Sequence, residues 1–564
     1  MNSRMNRLAL TVGVVIAAMA GQASAQTPAP SQNATINLIR LLVQQGVLQQ
    51  EQAQALIQQA ESEALQARQA AGTAGPATEP GDVRVPYIPA VVRDQIRDEV
   101  KNEVMAQAKA ENWAQPDTLP DWASRITFEG DVRLRNESRF YSGSNSNEIV
   151  DFAELNDDGP YDVNPNTGTR LPPLLNTRED RENLLRLRTR FGFKASLSEQ
   201  WSAGIRIGTG SDTSPVSTTQ TLGAGFGKKD LWLDQGYVTY SPSDRMTFTG
   251  GRVANPFLSS DLLYSGDLNF DGIAAIFNQP FNDSLSLFGT LGAFPVEYTS
   301  DSSTASFDKN ESDNEWLYGA QLGANWRINE RHRIKGALAY YQFDDIEGSR
   351  SSPCEPWAGD VECDSDDQRP TFMQKGNTLF LLRNITPDTT VGPGLTPQPQ
   401  YVGLASEFNL LDLNLIWDAD LFHDMKLRTH LNYVHNLGYD EGDMRKRAAG
   451  LANIANNTDE NGEIESGDDA WMLQMTLGNA LDMRKQGDWN LFAGYKYIQP
   501  DALPDGFNDS TFHLGGTNAK GYFIGGNYGL AERVYGTARW LSSEEVYGAP
   551  FDIDVLQLEL NTRF

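Results

Sequence analysis

The segment NLLRLRTRFGFKASL at residues 183–197 restricts the fold of this chain more than any other feature. Leu185, Leu187, Thr189, Phe191, Phe193 and Ala195 occupy one parity, and Arg186, Arg188 and Arg190 the other. Successive side chains of a strand point to opposite faces, so the segment has one apolar and one strongly cationic face. A soluble sheet rarely sets three arginines behind a face this apolar. In a membrane barrel the arrangement is expected, because lipid takes the apolar face and a wet lumen takes the guanidiniums. The expectation is an all-β transmembrane barrel.

The N-terminus has the layout of a secretory signal. Arg4 and Arg7 precede a short apolar run at 8–20, and Ala23-Ser24-Ala25 offers a cleavage site before Gln26. That run is shorter than the ~20 residues needed to span a bilayer, and no later segment is both long and apolar. A mature chain seated in a membrane must then sit there as a barrel, here in the outer membrane of a Gram-negative cell. The hydrophobic fraction of 39% argues against a helical bundle, while 50 glycines and 10% aromatic residues suit strands, tight turns and interfacial girdles. A net charge of -29 argues against a nucleic-acid partner and for a soluble, repelling exterior.

The chain divides into a signal peptide at 1–25, a periplasmic helical region and linker at 26–122, and a barrel at 123–564. Thr35 can cap a helix carrying Ile36, Ile39, Leu42 and Val43, with Gly46 ending it. A second helix carries Ala53, Leu56, Ile57 and Ala60, and a Gly/Pro linker spans 72–89. A third places Val92, Ile96, Val100, Val104 and Ala108 on one narrow stripe. Such a stripe wants a partner. A coiled coil with further copies is one solution, although the spacing of four departs from strict heptads; packing on the barrel rim or on another envelope component is the other.

Sixteen candidate strands follow, near 125–135, 184–196, 201–210, 230–240, 246–253, 269–279, 284–295, 314–328, 332–343, 405–418, 425–437, 470–483, 489–498, 521–529, 533–542 and 553–564. Short connections at 198–200, 241–245, 280–283, 329–331, 420–424, 485–488 and 531–532 alternate with longer ones. Short periplasmic turns facing long outer loops are the pattern of a bacterial barrel with an even strand number. Trp316 and Trp326 end one apolar face, as an aromatic belt at each interface requires, and the last strand ends on Phe564.

Alternation turns Arg133, Arg135, Arg186, Arg188, Arg190 and Arg206 inward as a wall on three neighbouring strands, with Arg428 and His430 inward elsewhere. Glu129, Asp131 and Asp234 are available to pair with them. Acidic loop runs at 151–158, 362–367 and 459–469 can either fold inward against the wall or stay solvated. Cys354 and Cys363, in a long polar loop of an exported chain, suggest a disulfide; with no histidine nearby they make a poor zinc site. No catalytic constellation accompanies His332, His423, His430, His435 and His513, so no enzyme, cofactor or metal site is expected.

The stretches GDVRLR (130–135), LLRLRTRFGFKASL (184–197), GTGSDTSPVSTTQTLG (208–223), KKDLWLDQGYVTYSP (228–242), GGRVANPF (250–257) and GDLNFDGIAA (266–275) resemble the putative porin family of proteobacterial outer membranes. The helical stretches LLVQQGVLQQEQAQAL (41–56) and VPYIPAVVRDQIRDEV (85–100) fit it as well. The resemblance implies a trimeric porin-like barrel among outer-membrane lipid and lipopolysaccharide, with a periplasmic helical extension. It fixes no solute. The leading expectation is diffusion of small hydrophilic solutes, with anions favoured by the arginine wall. The alternative is an envelope tether whose helices bind cell wall or a partner, with the barrel as anchor.

Overall fold

The computed structural model describes residues 121–168, 171–298, 314–359, 362–422 and 424–564. The expected signal peptide and periplasmic helices lie outside the described residues, as does His423. One short helical turn, Asp121–Ser124, leads into the first strand.

Sixteen strands form the wall. They are β1 Ile126–Tyr141, β2 Arg181–Ser196, β3 Trp201–Thr209, β4 Leu231–Ser243, β5 Met246–Ala254, β6 Asn269–Pro280, β7 Leu285–Glu297 and β8 Glu315–Arg327. The remainder are β9 His332–Asp344, β10 Phe408–Asp420, β11 Lys426–Asn436, β12 Asp469–Gly478, β13 Trp489–Ile498, β14 Ala519–Ala531, β15 Val534–Glu544 and β16 Ile553–Arg563. Each pairs antiparallel with its sequence neighbours, and β1 pairs with both β2 and β16, which closes the sheet. Two bonds seal the seam: Gly130 N donates to Phe564 O at 3.0 Å, and Phe564 N to Gly130 O at 3.0 Å. Closure leaves no free edge along the seam, the condition hydrocarbon imposes on a spanning sheet.

All sixteen expected segments coincide with wall strands, and the ends differ where both faces are polar. β1 continues past 135 to Tyr141 because Glu137 and Arg139 extend the inward row as ion-pair partners instead of apolar side chains. β12 stops at Gly478, short of 483, where any side chain would meet the Trp489 carbonyl at 2.1 Å. The turn at 479–488 is held by its own polar groups: Asn479 Oδ1 accepts from Trp489 N at 2.6 Å and Asp488 Oδ2 from Lys485 N at 2.8 Å.

The outward parity is apolar and open, as Leu322 (67% exposed) and Ile273 (65%) illustrate. Toward the periplasmic end, and along β1 and β2, the inward face is polar. Near the outer rim it carries Ala339, Tyr341 and Phe343 on β9, Phe408 and Leu410 on β10, and Ile553 and Val555 on β16, all buried. Those rows want cover. The β5–β6 loop supplies it with Phe257, Leu262, Leu263 and Tyr264, joined by Met373 and Leu379 of the β9–β10 loop and Leu503 and Phe512 of the β13–β14 loop. Burying each large apolar side chain contributes about 1.5–3 kcal/mol, enough to hold these loops inside the barrel.

In the β9–β10 loop Cys354 and Cys363 are bonded, with Cα atoms 5.9 Å apart, and both pack on Ile385 and Trp357. Replacing both by serine removes a short loop closure worth about 2.5–3 kcal/mol in the chain-entropy account. The expected outcome is an unchanged heat-dependent gel shift of the barrel with faster tryptic cleavage at Arg350 and Arg369. Equal cleavage of both forms would show that packing alone orders the loop.

Candidate functional site

The inward parity of β16, β1, β2 and β3 makes one continuous charged surface. β1 supplies Asp131, Arg133, Arg135, Glu137 and Arg139, β2 supplies Arg186, Arg188 and Arg190, β3 supplies Arg206 and β16 supplies Glu559. Register sets like charges opposite one another: Arg133 faces Arg188, and Arg135 faces Arg186. Directly opposed like charges destabilise a sheet, so the surface is stable only with carboxylates between them.

The carboxylates are there. Glu137 lies 3.4 Å from Arg135, 2.8 Å from Arg139 and 3.0 Å from Arg186. Asp131 lies 2.9 Å from Arg188 and 2.7 Å from Arg190. Glu559 takes Arg135 at 2.7 Å, and Asp234 of β4 takes Arg206 at 2.5 Å. Glu129 sits apart, 3.4 Å from Lys194.

A further tie comes from the β5–β6 loop at 255–268. Its Asp267 lies 3.1 Å from Arg188 and 3.2 Å from Arg190, and accepts from Thr218 N at 3.2 Å. Burial acts to raise the Asp267 carboxyl, but Arg188, Arg190, Arg133 and the Thr218 N–H outweigh it and hold the group below the ordinary aspartate value. Elsewhere in the loop, Leu258 N donates to Gln321 Oε1 on β8 at 2.8 Å, Ser260 Oγ donates to Asn432 on β11, and Asp261 lies 3.1 Å from Lys496 on β13. Strands β2, β8, β11 and β13 are spread around the wall, so the loop crosses the lumen and narrows it.

The loops expected from sequence to oppose the arginines spend acids elsewhere. Asp151 caps the helix Phe152–Asp157 by accepting from Glu154 N at 3.2 Å. Asp366 takes the buried Arg383 guanidinium in a two-pronged pair, and Asp459 closes its own turn by accepting from Asn461 N and Glu463 N.

Arg428 does not join the six clustered arginines. It pairs with Asp418 at 2.7 Å, beside a second cationic group that sequence reading missed: Lys496 on β13 and Arg539 on β15. Lys496 is buried, 3.1 Å from Asp261 and 3.7 Å from Asp509, with the rings of Phe512 and Phe523 beneath it. Asp509 is held low in the same way as Asp267: burial works against the charge, and Lys496 and Arg539 prevail. Arg428, Lys496 and Arg539 line a polar cavity of about 340 Å³, and Arg188, Arg190 and Arg206 line another of about 650 Å³. Lys496 and Arg539 were legible in the parity of their strands; Asp261 and Asp267 sit in a loop, where parity says nothing.

One contrast runs through both groups. Arg135, Arg139, Arg186, Arg188, Arg190, Arg206, Arg428 and Lys496 each have a carboxylate partner. Arg133 and Arg539 have no carboxylate at ion-pairing distance among the described residues, although Arg133 lies in the field of Asp267 and Glu559 and Arg539 in that of Asp509 and Glu559; the Nε of each is buried without a hydrogen-bond partner, as is that of Arg186. Arg133 donates only to Thr219 Oγ1, at 2.6 Å.

Of the histidines, His430 faces inward and its Nε2 meets Asn414 Oδ1 at 2.9 Å. His513 lies between Ser543 Oγ at 3.1 Å and Glu545 at 3.3 Å, which imitates a nucleophile–base–acid chain. His513 is fully buried and Ser543 nearly so, which leaves the hydroxyl no access to a substrate. The chain of bonds ties the β13–β14 and β15–β16 loops together.

Residues 32–564 match the sequence family described as "Putative porin". Among solved structures, the outer membrane channel DcaP of Acinetobacter baumannii aligns at 12% identity over 78% of this chain and 97% of that one, with a TM-score of 0.36. The trimer form of OmpT, an outer membrane protein of Vibrio cholerae, aligns at 9% identity over 78% of this chain and 99% of that one, with a TM-score of 0.35. No curated protein matches.

The depressed Asp267 carboxyl gives a pH expectation. Its ion pairs stabilise the crossing loop above the ordinary aspartate range, and that contribution is lost as pH falls through the lowered value. Single-channel current should therefore be quiet at pH 7 and remain so near pH 5, with loop-like flicker appearing only once pH falls below the ordinary aspartate range. Asp267→Asn should flicker at every pH; quiet traces from that variant would show that the loop is held by its apolar residues alone.

Proposed function

From the premise that this chain belongs to the putative porin family and folds as an outer-membrane channel, we propose that it passes small hydrophilic solutes by diffusion and favours anions. The observation that carries this is that Arg133 and Arg539 have no carboxylate at ion-pairing distance among the described residues, whereas the other arginines of the β1–β3 surface do. A matched pair presents little net field to a passing solute. An arginine without a carboxylate at ion-pairing distance leaves more of its charge to act on a passing solute.

Magnitude supports the same choice. A unit charge about 4 Å from a guanidinium near a protein surface feels about 4 kcal/mol, whereas loop acids at the outer mouth are screened over about 8 Å at physiological salt. The excess of acids over the whole chain therefore acts on approach, and Arg133 and Arg539 act at the narrow part of the path. The paired arginines set the shape of that path and keep its wall rigid. The remaining inward cations expected from sequence, Arg135, Arg186, Arg188, Arg190, Arg206 and Arg428, serve the channel in this second way.

Swelling of proteoliposomes tests the reading with two solutes of similar size and opposite charge. Gluconate should enter faster than glucosamine. Substituting Arg133→Ser together with Arg539→Ser should bring the two rates together, while replacing Arg428 and its partner Asp418 together by serine, which removes a matched pair, should shift them far less. Faster entry of glucosamine into wild-type vesicles would overturn the proposal.

A further inference from the structure

Between β6 and β7 the wall parts at its outer end. Pairing runs from Pro280 with Ser286 up to Ile273 with Ala293 and stops. Beyond that point residues 269–272 pair only with β5 and residues 294–297 only with β8. Among the described residues the ladder between β6 and β7 extends no further. The top of β2 shows the contrast: where β3 ends early, the short strand Gln220–Thr221 covers Arg186 and Leu187.

The local sequence explains the parting. Gly272 has φ +143, and a Cβ there would meet the Ala293 carbonyl at 2.3 Å, so only glycine brings the strands this close before they separate. Pro295 has no N–H to offer a neighbour. Its partner across β8 is Trp316, which stands with Tyr298 and Tyr318 in an aromatic cluster. Such a cluster belongs at the membrane–water interface, so the gap lies at the outer face of the lipid.

Unpaired backbone at membrane depth persists only where it is covered by protein or lines a cavity. Here it lines a cavity of about 520 Å³. The lining comes from both faces of the wall: Arg252 and Asp271 belong to the outward parity, while Phe270, Phe294, Leu317 and Phe343 belong to the inward one. The cavity thus has residues of both faces in its lining at the outer end of the wall. Its interior is aromatic and aliphatic, of a size that holds one drug-sized molecule. Its charged lining is acidic, with Asp212, Asp271, Glu297, Glu315 and Asp505 against the single cation Arg252.

We propose that this gap is a lateral portal through which small uncharged apolar molecules pass between the outer leaflet and the barrel interior. It is a route separate from the cationic lumen, which the acidic lining closes to anions and the apolar interior closes to hydrophilic solutes.

The test uses the full chain in phosphatidylcholine vesicles loaded with an apolar trifluoromethyl-phenyldiazirine, which inserts into whatever it touches on illumination. Mass mapping should find label on Phe270, Phe294 and Phe343 in addition to the lipid-facing belt. Label confined to the belt overturns the proposal. In Asp271→Cys with Glu297→Cys, bridging the two thiols with a flexible bis-maleimide should abolish interior label and leave both the belt label and the ion conductance unchanged; persisting interior label overturns it. The described native cysteines are bonded to each other and do not compete. The carboxylate analogue of the probe should leave the cavity unlabelled, and equal labelling by it would contradict the uncharged class. Because conductance is read in the same vesicles, failure of the portal is distinguishable from failure of the channel.

Discussion

A peptide group facing hydrocarbon finds no water, and each unmet N–H or C=O there costs several kcal/mol. That cost dictates closure, and closure dictates most of what this chain does with its residues. The seam between Gly130 and Phe564 completes the ring of sixteen strands. Once the ring is closed, parity sorts every strand into a lipid face and an interior face. The interior must then be filled, and three long loops fill its outer half with apolar side chains. Where the ring is incomplete, between the outer ends of β6 and β7, a cavity takes the place of the missing bonds.

Electrostatics works within that frame. Register places Arg133 against Arg188 and Arg135 against Arg186, an arrangement that repels itself unless acids lie between. Glu137 and Asp131 answer from the strands, and Asp267 answers from the loop that crosses the lumen. Constriction and charge balance are thus one construction: the loop is held in place by the arginines whose repulsion it relieves. Arg133 and Arg539 stand outside these pairs, with no carboxylate at ion-pairing distance among the described residues.

Much of this was legible in the sequence because lipid enforces a rule along the whole of each strand. Residues 184–196 and 314–328 alternate without interruption, and they are strands β2 and β8. The outer end of β1 was not legible: Glu137 and Arg139 face inward from a stretch polar on both faces, and their pairing is with β2 and β16 residues far away in sequence. The inward loop was hidden for a related reason. Leu262, Leu263 and Tyr264 form an apolar triplet in a connection, a signal of burial that carries no period. Which arginines stay unmatched is harder still, since it depends on register and loop path together. The sequence pattern reaches Arg133 but treats it like Arg188.

The most direct measurement is the reversal potential of the purified protein in a planar bilayer under a potassium chloride gradient. The account predicts conductance with a reversal potential of the sign that chloride preference produces. A reversal potential of the opposite sign, with potassium preferred, would contradict it, because it would mean that the acids of the loops set the field in the narrow part of the path and that Arg133 and Arg539 do not.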